Sequence, residues 1–258
     1  MSGRRYTSNL QKGGGLLEAS ALLVSAWDDS LSADGNLAMA VGANVFGAAS
    51  AVRRRDLVNR ILRPRLVDPG PHVMSALKVL LDTNRHAFRD ACYFEASRAE
   101  PLLADFAEGQ MFDWYTAGRT TITVDDVEPW LAGLSRTGSA PVWSAAVRTR
   151  VGRALLATLR DFGVLGGVAN GTRKEIGHPY PSVPGFAYTC WRLHELGVTA
   201  ASLERSPVWR RWLLGPADVG ALMTDLAGHG VILLNRAGSV TRIEWRATTL
   251  SEAVHAAA

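Results

Sequence analysis

The residues of this sequence that could do chemistry do not form a catalytic set. Asp161-Phe162-Gly163 has the letters of the kinase metal-binding motif, but no other kinase motif precedes it. In Lys12-Gly13-Gly14-Gly15 the lysine stands before the glycines, which reverses the order of a phosphate-binding P-loop. The six histidines are scattered without metal-ligand spacing, and neither GxSxG nor HExxH occurs. We therefore expect no catalytic residue, no metal site, no cofactor and no enzymatic activity.

Arginine is present in unusual excess. Of the 28 basic residues, three are lysine and the other 25 are arginine. The guanidinium group is a planar fork of hydrogen-bond donors that suits phosphate, so this excess favours a nucleic-acid partner. A GC-rich genome would produce the same excess, and the abundant alanine, glycine and valine fit that alternative equally well.

The first arginine cluster lies between residues 51 and 65. A projection at about 100° per residue puts the apolar residues between Leu57 and Leu62 on one buried stripe. Three of the arginines fall on the opposite face, and two more flank it or follow it. The candidate phosphate-binding residues here are Arg53, Arg55, Arg60, Arg63 and Arg65. Asp56 can bridge Arg53 and Arg60 at helical spacing, so a solvated face with local ion pairs remains an alternative.

A second cluster follows Ser144, which predicts the N-cap of a helix running to Phe162. Its valines, leucines and Phe162 form an apolar stripe, and no acidic residue occurs before Asp161. The arginines that project away from that stripe are Arg150, Arg153 and Arg160. They are the second set of candidate phosphate contacts.

Helical periodicity and the absence of alternating segments predict a mainly α fold with two regions. Residues 1–118 read as an N-terminal helical bundle without strands, preceded by an arm over residues 1–15. Within the bundle, Asp34 and Ser50 are predicted to cap helices, and Pro64 is predicted to stop the second of these. One further helix is expected over residues 73–91, and another over 94–115, in which Pro101 forces a kink or a restart.

Residues 119–258 read as a helical region with two short β-hairpins. Thr123 predicts a helix start, and Gly163 fits the left-handed position after a helix end. Strands are expected only after Gly163, around an Asn170-Gly171 turn, and in a terminal hairpin that turns at residues 235–238. A repeat supports both hairpins, because Leu155, Leu159, Gly163, Val164 and Leu165 have the spacing of Leu222, Leu226, Gly230, Val231 and Ile232. Helix plus hairpin is the skeleton of a winged helix, although the same pattern occurs in many α+β domains.

Composition indicates a globular, cytoplasmic protein. The chain has 258 residues, is 47% hydrophobic and contains no apolar run of about 18 residues, so no membrane span is expected. The polar N-terminus lacks the apolar core of a signal peptide. Cys92 and Cys190 lie far apart and predict neither a disulfide framework nor a zinc site.

Three segments resemble the BrxA family of BREX bacteriophage-exclusion systems. They are Tyr6 to Gly14 before a helix that ends near Trp27, the Asn44-Val45-Phe46-Gly47 turn before the arginine-rich helix, and Leu155 to Gly167. The resemblance implies an N-terminal helical region similar to the NusB antitermination fold. It also implies nucleic-acid binding without catalysis, and as partners the BREX methyltransferase, alkaline-phosphatase-like protein and ATPases. Members of the family have been described as inner-membrane proteins, which this sequence does not support.

Two functions of different classes follow from the sequence. The first is a duplex-DNA-binding accessory protein of a phage-defence system, with RNA binding as a variant that the NusB likeness suggests. The second is a protein–protein scaffold whose arginine faces meet acidic surfaces of other BREX proteins. Binding of unrelated duplex DNA separates them.

Overall fold

The computed structural model describes residues 6–48, 50–169, 171–237 and 240–258. Within these residues the protein is mainly helical with two small antiparallel sheets, which confirms the predicted fold class. Asn170 of the first predicted turn and Gly238 of the second lie outside the described residues. The strand before the second turn continues to Ala237, so that turn begins later than the sequence suggested.

The first half is a succession of helices that ends at Thr116. Its α-helices are α1 (Leu17–Ser25), α2 (Ala33–Gly42), α3 (Ala51–Leu57), α4 (Pro71–Thr83), α5 (Arg85–Ala99), α6 (Pro101–Asp105) and α7 (Phe112–Thr116). A 3-10 helix over Asn9–Lys12 and π-helical segments over Val58–Val67 and Phe106–Met111 complete it.

The described part of the predicted N-terminal arm, residues 6–15, is anchored on the protein at Tyr6 and Leu10. Leu10, in the 3-10 helix, is 1% exposed, and the Tyr6 amide donates to the Ser139 carbonyl at 3.1 Å. The burial of these apolar side chains fixes a segment that its polar neighbours had suggested would not pack on the protein.

Two helix boundaries differ from the sequence prediction because a side-chain cap competes with helical periodicity. Ser32 rather than Asp34 caps α2, since its hydroxyl accepts from the Gly35 amide at 3.1 Å. The expected single helix over 73–91 is broken at Asn84, whose side chain accepts from the Ala87 amide and starts α5. Helix α5 then continues to Ala99, through the break expected between residues 91 and 94. The cap of α3 at Ser50 and the start of a new helix, α6, at Pro101 are confirmed.

Pro64 does not stop the arginine-rich helix, contrary to prediction. The helix changes from α to π winding at Val58 and continues through Pro64 to Val67. A proline cannot donate an amide hydrogen bond and clashes with a carbonyl one α-turn earlier, and the wider π turn relaxes that conflict. The Pro64 carbonyl accepts from Arg98 Nη2 at 2.7 Å.

The second half contains the strands. Its elements are β1 (Thr121–Thr123), α8 (Val124–Arg136), α9 (Ala145–Asp161), β2 (Leu165–Gly166), β3 (Arg173–Ile176), α10 (Val183–Glu195), α11 (Ala200–Leu203), a 3-10 helix (Pro207–Trp212), α12 (Pro216–Gly228), β4 (Ile232–Ala237), β5 (Val240–Trp245) and α13 (Leu250–Ala256). The expected starts after Thr123 and Ser144 are confirmed. Gly163 has φ +79°, as its place after α9 requires.

Strand β1 corrects the expectation that strands occur only after Gly163. It pairs antiparallel with β3, placing Ile122 opposite Lys174, and β3 also pairs with β2. The first sheet therefore has three strands in the order β1-β3-β2. The second is the predicted terminal hairpin, with β4 and β5 in register from Ile232 opposite Trp245.

One hydrophobic core runs across the predicted boundary at residue 118. Helix α10 packs on α5, and α13 packs on α4. Tyr93 of α5 contacts Phe162 and Trp212, whose ring centroids lie 5.1 and 5.0 Å away, and its hydroxyl donates to the Arg211 carbonyl. Cys92 and Cys190 are buried and unpaired. The division into two regions remains a description of sequence character, because both regions fill the same core.

A buried ionic cluster fixes α10 against α5. Glu95 is 0% exposed, and its Oε1 accepts from Arg192 Nε and from the Tyr188 hydroxyl, both at 2.8 Å. Its Oε2 accepts from Arg98 Nε at 2.6 Å. Both carboxylate oxygens are thus paired, as burial of a charge requires.

Asp90 anchors the start of α10 in the same contact. One carboxylate oxygen accepts from the Ser182 amide and hydroxyl, each at 2.9 Å, and His86 Nε2 lies 3.6 Å from the other. Burial raises the pKa of Asp90 from 3.8 to about 7, against the opposing effects of these hydrogen bonds and of Arg89.

This pKa predicts that stability decreases as pH rises from about 4 to 7. An acid whose pKa is higher in the folded state binds more protons there, so rising pH favours unfolding by up to about 4 kcal/mol. Asp90→Asn keeps an acceptor for Ser182 and is expected to remove this decrease. Urea unfolding of both proteins between pH 4 and 8 measures it. His86 titrates in both, so a parallel decrease in both proteins would contradict the assignment to Asp90.

Candidate nucleic-acid interface

The arginines of the first cluster differ in how free they are. Arg53 and Arg55 are exposed on α3, and among the described residues neither lies within ion-pair distance of an acid. Ser50 starts the helix that presents them, since its hydroxyl accepts from the Arg53 amide at 3.2 Å. Charge and reach are all that a phosphate contact needs, so these two side chains fit the prediction.

Arg60 is exposed and Arg63 is half-buried, and both are already paired. Arg60 Nε lies 3.0 Å from Asp56 Oδ1, which is half of the local pairing that the sequence allowed. The other Asp56 oxygen is taken by Lys12 Nζ at 3.3 Å, not by Arg53, and this hydrogen bond is the main cause that lowers the pKa of Asp56. Arg63 contacts Asp34 at 2.8 Å and Asp68 at 3.2 Å, and these bonds raise its pKa.

Arg65 is buried, which corrects its assignment as a phosphate contact. Its side chain is 2% exposed, and Nη1 donates to the carbonyls of Gly14 and Gly15 at 3.0 and 3.1 Å. Burial lowers its pKa, partly offset by Glu100. Because the helix continues through Pro64, Arg65 stays on the buried side, three and four residues after Leu62 and Ile61.

The second cluster is carried by α9, a helix of 17 residues. Arg150 and Arg153 are exposed, and within the described part of the chain neither has an ion-pair partner. Arg160 is held back, because it pairs with Asp161 and its Nη1 donates to the Ala169 carbonyl at 2.8 Å. The structure therefore leaves two of the three predicted arginines of this helix free.

The loop between β2 and β3 lies beside the exposed face of α9. Lys174 Nζ bonds to the carbonyls of Val168 and Ala169, so Lys174 and Arg160 together hold this loop against the helix. Beside this contact, α9 and the loop line a groove of about 760 Å³. Its lining includes Thr123, Asp125, Thr149, Arg153, Ala157, Thr172 and Lys174.

Arg173 is a basic residue of this surface that sequence reasoning missed. It is exposed on β3, opposite Thr123 of β1. Its only sequence signal was its place next to Lys174 in a short strand, and β1, the partner of that strand, was not predicted.

The N-terminal 3-10 helix touches both arginine surfaces. It packs on α9, while its residue Lys12 pairs with Asp56 of α3. Close behind it, a Cβ on Gly15 would lie 2.7 Å from the Asp161 Cβ, so the glycines allow the chain to pass against α9. The two surfaces therefore flank one short element.

The second helix-plus-hairpin unit has a different charge. The exposed side of α12 carries Asp218 and Asp225 and no arginine or lysine. Its sheet has two strands, β4 and β5, whereas the sheet of the first unit has three. The repeat seen in sequence reproduces the local order of helix and hairpin but not the basic surface.

The structure defines a mainly helical protein that presents exposed arginines on two helices, and no group of at least three metal-ligating side chains occurs among the described residues. The chain belongs to the BrxA family, whose model matches residues 4–185. It is thus a BrxA protein of BREX systems, and membership implies a role in phage defence. No curated protein matches the chain. No helix among the described residues is long and apolar enough to cross a membrane.

Proposed function

We propose that this BrxA protein binds duplex DNA as a non-catalytic, cytoplasmic accessory protein of its BREX system. The observation that carries the proposal is the exposed pair Arg150 and Arg153 on α9, a helix with no acid before Asp161. About 25 Å long by its rise per residue, α9 has the size of helices that enter a major groove.

The order of elements around α9 supports the proposal. Strand β1, helices α8 and α9, and strands β2 and β3 follow one another, and the sheet order β1-β3-β2 returns β3 between the others. This order is similar to that of a winged helix, in which the second helix of the pair is the recognition helix of a helix-turn-helix. The loop held by Arg160 and Lys174 then takes the place of the wing.

Arg53 and Arg55 extend the proposed DNA surface, and Arg60 and Arg63 contribute only after leaving their carboxylate partners. Phosphate contacts of this kind carry no base sequence, so binding is nearly independent of sequence. With about four phosphates engaged, log affinity falls with log salt at a slope of about −3.6.

Fluorescence anisotropy with an unrelated duplex of about 20 base pairs tests the proposal between 50 and 200 mM salt. The expected result is binding that weakens roughly a hundredfold over that range. No binding at 50 mM would favour the scaffold function instead. Tighter binding of a matched RNA than of the duplex DNA would favour the NusB-like RNA-binding alternative.

A further inference from the structure

A second cleft lies away from α9, between the 3-10 helix, α1 and α3. Its volume is about 670 Å³, within the range of natural binding clefts of about 300 to 1,000 Å³. Its lining residues are Gln11, Lys12, Leu16, Ala19, Phe46, Gly47, Ala48, Ser50, Val52, Arg53, Asp56, Leu57 and Ile61.

The floor of this cleft is apolar and continues onto an exposed strip. Leu16, the N-cap of α1, and Ala19 of α1 line it, and Leu22, one turn beyond Ala19 on the same side, is 43% exposed. Val52 at its edge is 69% exposed. Large apolar side chains that adjoin one another at the surface, next to polar residues, are typical of protein contact sites.

The rim of the cleft is basic. Asp56 is the one acid among the lining residues, and Lys12 and Arg60 already share its carboxylate. Arg53 on the same rim has no acidic partner in the described part of the chain. The rim therefore carries an excess of positive charge over an apolar floor.

This combination fits a protein segment better than a small ligand or a nucleic acid. The buried polar side-chain atoms without a partner in the described residues belong to Arg54, Arg65 and Arg89, none of which lines the cleft. The described lining of the cleft therefore offers no unpaired buried donor that would bind a small polar molecule. Duplex DNA would use the cations but would leave the aliphatic floor in contact with water.

We propose that the cleft beside Arg53 binds an acidic amphipathic helix of a partner protein. Apolar side chains at helical spacing fill the floor, and carboxylates on the flanks of that helix meet Arg53 and Lys12. The inference goes beyond DNA binding, because it uses the apolar cleft and a different class of partner, and it shares Arg53 with the proposed DNA surface.

Site-specific photo-crosslinking in cells that carry the complete defence system tests this. p-Benzoylphenylalanine replaces Val52, and in a matched control it replaces Val142, which is 91% exposed on the loop before α9. The expected product at Val52 maps to a segment of another protein with apolar residues at i, i+3, i+4 and i+7 and a net negative charge, and is missing at Val142. A product with DNA, a second copy of this chain or a basic segment, or no product, overturns the proposal.

The charge requirement is tested with Arg53. Arg53→Glu is expected to lower the Val52 crosslink yield roughly tenfold, whereas Arg53→Lys retains most of it, because facing like charges are repulsive. An equal yield with Arg53→Glu contradicts the proposal. Replacing Arg150 and Arg153 with alanine leaves the yield unchanged if the two surfaces are independent. Loss of the Val52 crosslink in this double-alanine variant also contradicts the proposal. If the protein binds DNA but gives no crosslink at Val52, the cleft proposal fails and the DNA-binding proposal stands.

Discussion

Replacing Arg150 and Arg153 together with alanine is expected to weaken duplex-DNA binding about 60-fold at 100 mM salt. It should also flatten the slope of log affinity against log salt by about 1.8, since each lost phosphate contact releases about 0.9 fewer counterions. Both side chains are exposed on α9, so the stability of the fold should change by no more than about 0.5 kcal/mol. Anisotropy titrations at several salt concentrations measure the affinity and the slope.

A matched control is the double variant Arg205→Ala, Arg246→Ala. It removes two exposed arginines and the same charge from other parts of the chain. It should leave the slope unchanged, because only charges at the contact release counterions. Equal effects of both double variants would mean that net charge, not α9, drives binding.

The Arg60→Ala, Arg63→Ala variant separates the two arginine surfaces. From sequence it is expected to flatten the slope by two contacts, but both residues pair with carboxylates in the structure. We therefore expect a smaller change than at α9. A larger change there would move the contact to α3 and its π-helical continuation.

Glu95→Ala is expected to destabilise the protein by about 3 to 5 kcal/mol. Removing the carboxylate leaves Arg192 Nε and the Tyr188 hydroxyl without an acceptor in the core. Arg192 then keeps only its ion pair with the more exposed Glu195, and breaking a buried pair by removing one partner is costly. Glu95→Gln keeps the volume and should cost less, because the amide oxygen still accepts a hydrogen bond. Urea unfolding at constant pH measures the free energies.

The exposed pair of Glu204 and Arg236 provides the comparison. Glu204→Ala breaks a pair whose side chains are 24% and 40% exposed, so a loss of at most about 1 kcal/mol is expected. If Glu95→Ala also costs less than about 1 kcal/mol, the cluster on α5 does not stabilise the fold in the way proposed.

Local signals in the sequence predicted much of the fold. The starts of α8 and α9 follow from Thr123 and Ser144, and the left-handed Gly163 follows from its place after a helix. Strand β1 could not be predicted, because three residues carry no period and its partner β3 lies about 50 residues further along the chain. Pairing over such a distance depends on how α8 and α9 fold back between them.

The candidate site was also predictable only where local sequence signals determine the structure. The free arginines of α9 follow from a regular helix with an apolar stripe. Arg65 does not, since its position depends on a π-helix continuing through a proline. Arg160 is not free because it donates to the Ala169 carbonyl, and this contact depends on where a loop packs, which helical spacing does not encode.

The position of α13 has a consequence for how the protein folds during synthesis. Leu250, Ala253 and Val254 of this last helix are buried, and the helix packs on α4 near the start of the chain. The first helices leave the ribosome long before the residues that cover them exist. Contacts between such distant residues are slow to form and leave apolar surface open meanwhile. A nascent chain that stops after β3 would carry both arginine surfaces but expose the sides of α4 and α5 that α13 and α10 cover. Such transiently exposed apolar surface favours aggregation until the last helices are made.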